Sequence, residues 1–165
     1  MLQNASFDTS FWINAYRAGI VRHLLSFFRL YAPPAVKQEI LLPVVEFGIE
    51  SEDAALFRDW VKQRKILIRA PKTSYPIFRA GESQAIALAK EPRYLLLIDD
   101  SNPYEAAKQA GLKVVGSPDF VVFLVFKHKV SPDDGLSMLD HLRGSVKATI
   151  IDAAVTLLHH RKPRR

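Results

Sequence analysis

Two adjacent carboxylates, Asp99 and Asp100, close the apolar run in YLLLIDDSN (residues 94–102). Asp is a poor strand former and costly to bury, so a strand ending this way either turns into a helix cap or delivers a carboxylate to a site. Three more acids occupy comparable places. Asp8 follows the first apolar stretch, Glu39 lies one to two turns beyond Pro33-Pro34, and Glu82 opens GESQAIALAK. Crowded carboxylates repel one another, and their pKa values rise unless a cation compensates. The chain has no cysteine, which removes disulfides, thiol nucleophiles and thiolate metal sites. His23, His128 and His141 are isolated, and only His159-His160 adjoin, so nothing points to zinc. Oxygen ligands alone suit a hard cation, Mg²⁺ or Mn²⁺, that keeps some of its waters. The chemistry implied is metal-assisted phosphodiester hydrolysis.

Each acid also has a purely structural use. Asp8-Thr9-Ser10 reads as a helix N-cap. Glu82 suits the first turn of a helix through the macrodipole, Glu39 reads as a solvated helical residue, and residues 99–102 make a good turn and cap. What separates the two readings is whether the fold brings these acids to one place.

The elements that would do so alternate. Leu2–Phe7 reads as a strand, and TSFWINAYRAGIVRHLLSFFRL as helical, with Gly19 dividing it in two. Leu30–Ala32 is a short strand before a helix opened by Pro33-Pro34. SEDAALFRDWVKQRK is an amphipathic helix capped by Ser51, ILIRA a strand, and residues 71–78 a loop. GESQAIALAKEP is helical, YLLLID a strand, and NPYEAAKQAG a helix ending at Gly111. LKVVG is the last strand. Three helices follow: one from Ser117-Pro118, then two capped by Ser131 and Ser145. This pattern predicts an α/β domain with a mostly parallel central sheet covered on both faces, plus a C-terminal helical extension. In such a sheet the functional crevice lies beyond the carboxyl ends of the strands at the switch in strand order. Asp8 and Asp99 face each other there if their strands are neighbours.

The 165 residues, 48% of them hydrophobic, fit one domain with a sizeable core. The amino terminus lacks a basic region before an apolar block. The longest apolar run, Phe120–Phe126, is too short to span a bilayer. A cytoplasmic protein without a membrane segment is the expectation. The apolar run is either a dimer face or a buried helix. The net charge of +6 owes much to Arg161, Lys162, Arg164 and Arg165, a basic tail that is either a solvated end or a weak phosphate-holding segment.

FDTSFWINA, YAPPAVKQEI, AGESQAIALAK and YLLLIDDSNPYEAAKQAGLKVVGS together resemble the PIN domain, in particular a branch with a GExxAIALA helix and an LLIDD strand. The matching order runs from about Phe7 to about Val130. The resemblance implies that residues 1–130 form a PIN-like nuclease domain and that 131–165 are its helical extension with the basic tail. It implies a metal-dependent endoribonuclease, in the manner of a toxin held by a small antitoxin protein, with Mg²⁺ or Mn²⁺ as cofactor and homodimers as a common form. Asp8, Glu39, Glu82 and Asp99 take the places of the catalytic acids, and Asp8, Glu82, Asp99 and Asp100 those of the metal ligands. Ser10, Ser117 and Arg79 stand as substrate contacts, joined by Lys72 on the loop; Phe11 and Trp12 are candidate aromatics for exposed bases, with core packing as their more ordinary use. Asp119 reads as a peripheral acid at a helix start. The competing readings are a catalytically silent binding module and a metal-dependent phosphoesterase acting on DNA.

Overall fold

The strand expected near the amino terminus forms as β1 (Gln3–Phe7) in a computed structural model that describes residues 1–91 and 93–160. The basic tail at 161–165 lies outside the described residues. Asp8 caps α1 (Thr9–Arg17), and Gly19, at φ +75°, breaks the chain before α2 (Val21–Phe27). β2 (Phe28–Ala32) starts two residues earlier than the sequence suggests, because Phe28 also packs into the core. Pro34 sits in the first turn of α3 (Pro34–Phe47), which ends at a left-handed Gly48. α4 (Glu52–Lys62) follows, then β3 (Ile66–Ile68), α5 (Ala80–Lys90), β4 (Leu95–Leu97), α6 (Ser101–Gln109) and β5 (Val114–Val115). α7 (Ser117–Phe126), α8 (Pro132–His141) and α9 (Ala148–His159) complete the described chain.

The strands pair in the order β3-β2-β1-β4-β5, all parallel. The chain is therefore α/β with a five-stranded parallel sheet flanked by helices. Strand alternation divides the core in two. Ala5, Phe7, Leu30, Ala32 and Leu97 face α1–α4 and α7–α9, while Tyr31, Leu96 and Ile98 face α5 and α6. Ser6 also points to the second side, donating to the Ala85 carbonyl at 3.0 Å. Met138, Leu139, Leu142, Ile151, Ala154 and Leu158 of the final helices share the larger core.

Several local expectations change. YLLLID yields only three ladder residues: Ile98 still donates to the Val115 carbonyl at 3.1 Å, but Asp99 and Asp100 leave the sheet for the turn into α6. Ser51 occupies the N-cap position of α4 without a side-chain cap bond. Lys147, not Ser145, precedes α9, because the Ser145 hydroxyl donates backwards to the Leu142 carbonyl. The run Phe120–Phe126 is a core helix: Phe120, Val121, Val122, Leu124 and Val125 are buried. Phe11 and Trp12 are fully buried too and present no ring to a ligand. Trp12 packs on Phe7, Phe57 and Trp60 with centroids 5.5–5.7 Å away. Among the described residues no helix is long and apolar enough to cross a membrane.

Candidate active site

Because every strand runs the same way, all five end at one edge of the sheet. Strand order reverses between β1 and β4: β1 is followed in sequence by the strand on one side of it and touches β4 on the other. The residues just past these neighbours are Asp8 and Asp99, and the ladder is carried to that point by the Asp8 N–H bond to the Leu97 carbonyl at 3.2 Å. α1, α3, α5, α6 and α7 all begin at this edge. Their N-terminal dipole ends favour anions there.

Asp8 is 1% exposed. Its Oδ1 accepts from the Phe11 N–H at 2.9 Å and its Oδ2 from the Ser10 hydroxyl at 2.7 Å. Burial pushes its pKa up to about 7, with Asp99 and Glu82 adding repulsion against the two hydrogen bonds. Asp99 is held on three sides. Asn14 Nδ2 donates to Oδ2 at 2.8 Å, the Ser117 N–H to Oδ1 at 2.6 Å, and the Ser117 hydroxyl also to Oδ2. Burial raises its pKa as well, and Asp119 adds to the shift. Glu82 is half-buried and shifted upward, first by desolvation and then by Asp100, with Glu39 contributing. Glu39 takes the Thr9 hydroxyl and, at 2.8 Å, the Gly81 N–H.

The sequence reading and this geometry agree on the edge at which the acids gather, and differ on what some neighbours do. Asp100 is exposed and caps α6 through the Asn102 N–H at 3.3 Å. The Ser117 hydroxyl faces Asp99 from a fully buried position, so it steadies a carboxylate instead of meeting a substrate. Ser10 bonds Asp8. Arg79 is the exposed residue before α5 and lies close enough to Glu82 to oppose its upward shift. Lys72 is exposed on the loop, its N–H bonded to Glu91 along with that of Thr73. Asp119 accepts from the Gly116 N–H at 2.9 Å, the helix-start role expected of it. Sequence reasoning missed Thr9, Asn14 and Gly81. Asn14 gave a signal, as a polar residue between Phe11 and Ala15 on the inward face of α1.

Gly81 has a close-approach requirement. A Cβ built there would lie 2.3–2.7 Å from the Glu39 carboxylate. Ala is the better helix former by roughly 0.5–1 kcal/mol, yet Gly81→Ala is expected to destabilise by about 1–3 kcal/mol through overpacking and to reduce any activity that uses Glu39. Urea denaturation reads this directly. In a Glu39→Ala background the same substitution is expected to stabilise, and a loss in both backgrounds would refute the contact.

The candidate ligand atoms are all carboxylate oxygens, and Asp99 and Glu82 each raise the Asp8 pKa by repulsion, a crowding that a hard divalent cation would relieve. Among the described residues no three His, Cys, Asp or Glu side chains are gathered closely enough to hold an ion by themselves. Asp8, Glu82, Asp99 and Asp100 thus share an edge without closing into a direct ligand set. Asp8 and Asp99 are bound to their own neutral donors, and Asp100 to its cap. The arrangement fits an ion carried by one or two carboxylates that keeps most of its waters.

The sequence model of the family described as DUF3368, PIN domain, matches residues 5–152. No curated protein matches the chain. Among solved structures, a PilT N-terminus domain protein from the hyperthermophilic archaeon Sulfolobus solfataricus P2 is 19% identical, with a TM-score of 0.46. The alignment covers 69% of this chain and 87% of that one.

Proposed function

The chain belongs to the PIN-domain family, whose members are typically nucleases, and from that premise we propose that it is a metal-dependent endoribonuclease acting on single-stranded RNA. The observation that carries this reading is the pair Asp8 and Asp99 on adjacent strand ends at the switch point, both buried enough to raise their pKa values. Asp8 and Asp99 would hold a Mg²⁺ or Mn²⁺ ion, with Asn14 and Ser117 fixing the Asp99 carboxylate. When bound, the ion supplies Lewis-acid stabilisation of charge developing on the phosphate. Glu82 faces the same edge with a raised pKa, which suits it to take a proton from an attacking water. Glu39 is kept in register by Thr9 and Gly81. Arg79 and the helix N-termini offer positive potential to the phosphate.

A partner that silences the activity, such as a small antitoxin, belongs to the same proposal. Leu42, Val45, Phe47 and Ile49 leave an exposed apolar strip at the end of α3, the kind of surface a protein covers. A second reading, a silent binding module, draws on a different observation: Asp8, Asp99 and Glu39 each already serve as a cap or a bonded acceptor.

Cleavage of a mixed single-stranded RNA by purified protein separates the two. Cutting with Mn²⁺ or Mg²⁺ that stops in EDTA and falls by about 10²–10³ in Asp99→Asn is expected, the size seen when one electrostatic contact to a transition state is removed. No metal-dependent cutting by wild type would remove the nuclease reading, and equal cutting by wild type and variant would remove Asp99 from its site.

A further inference from the structure

Beside Asp99 the surface opens into a cavity of about 230 Å³ between α6, α7 and the beginning of α9. Resting on the nuclease reading above, we propose that this cavity receives one unpaired base next to the phosphate being cut, and that it selects guanine. The volume is below the roughly 300–1,000 Å³ of pockets for drug-sized ligands, so it takes a single base and not a folded segment. Its walls have the parts such a base needs. Tyr104 supplies an aromatic ring, and aromatic stacking is how unpaired bases are gripped. Pro118 and Ile150 form an apolar side, and Lys108 places its Nζ 6.0 Å from the Tyr104 ring centroid, a cation available to the adjoining backbone phosphate.

Selectivity comes from the two acids at the rim, Glu105 and Asp119. Asp119 receives the Gly116 N–H and the Tyr104 hydroxyl on Oδ2, so Oδ1 carries neither bond. Guanine presents two adjacent donors, N1–H and N2–H, to carboxylate acceptors. Uracil offers one N–H flanked by two carbonyl oxygens, which carboxylates repel. Adenine and cytosine present an amino group but no second adjacent donor. Ile150 and Val146, which line the same cavity, come from the C-terminal helical region. That region would therefore wall the base site, while Glu105 and Asp119 set the preference and the sheet edge sets the chemistry.

The test uses the full chain in EDTA, where no cutting occurs, titrated with GMP and with UMP and followed by NMR shifts. GMP is expected to bind about tenfold or more tighter than UMP. Tyr104→Ala is expected to weaken GMP about tenfold, the scale of one lost stacking contact. Glu105→Gln changes an exposed side chain and leaves folding intact, and it is expected to narrow the GMP-to-UMP ratio. Equal binding of the two nucleotides, or GMP binding untouched by both variants, would overturn the proposal. Sequencing the ends of cleaved RNA keeps the two ideas apart. Cleavage without guanine bias overturns the pocket and leaves the nuclease standing. Selective, Tyr104-dependent GMP binding without any cleavage supports the pocket and removes the nuclease.

Discussion

Asp8→Asn is expected to reduce RNA cleavage by about 10²–10³-fold while making the protein more stable at pH 8 in the absence of divalent metal. The two effects have one origin. The Asp8 carboxylate is buried at the switch point with a pKa of about 7, against 3.8 for the free side chain. Between these values the folded state holds a proton that the unfolded state has released. Stability conferred by that proton is complete below about pH 4 and is lost as pH climbs through 7. At 1.36 kcal/mol per pKa unit, the loss is on the order of 4 kcal/mol. Asn keeps the shape, serves equally well as an N-cap, and never ionises. Its carbonyl can accept from the Phe11 N–H, and its amide can donate to Ser10. Denaturation at pH 4.5 and pH 8 checks the stability half, and the advantage of Asn is expected only at pH 8. A site built merely to cap α1 would show the same stability pattern, which follows from burial, but leave cleavage unaffected.

Trp12→Ala is expected to cost about 3–5 kcal/mol of folding stability, the range for removing a large aromatic from a core. Trp12 is fully buried among Phe7, Phe57 and Trp60, and its Nε1 donates to the Asp53 carbonyl at 3.0 Å. The substitution therefore leaves a cavity and, in addition, an acceptor without its donor. Domains of this kind have about 5–15 kcal/mol in all. At about 2–4 °C per kcal/mol for 150–250 residues, the melting temperature should fall by roughly 10 °C. A shift below about 2 °C with impaired RNA binding would instead restore Trp12 as a ligand for bases.

Those two residues also mark how far the sequence could be read. Asp8 and Asp99 could be placed because one rule, that parallel strands deliver their following residues to a common edge, needs only the element order. Trp12, four residues past Asp8, reads from the sequence first as core and only second as a platform for bases, and its full burial on the inward face of α1 makes it core. Asn14 and Ser117 reach Asp99 from α1 and α7, and no local pattern ties those helices together. The Glu39–Gly81 contact likewise exists only once α3 lies against α5. Ser145 failed for a smaller reason: a hydroxyl near a helix start has a competing carbonyl behind it, and here the carbonyl won.

The parallel pairing of β1 with β4 also bears on how the protein is made. Phe7 aligns with Leu97, and all of β2, α3, α4, β3 and α5 is synthesised between them. Such distant pairings form late, because the intervening chain must close before they are rewarded. A ribosome that has translated β1 has exposed Asp8 with no second acid to join it. The Ser117 groups that fix Asp99 come later still. A chain still being elongated thus lacks the assembled carboxylate pair until the sheet closes.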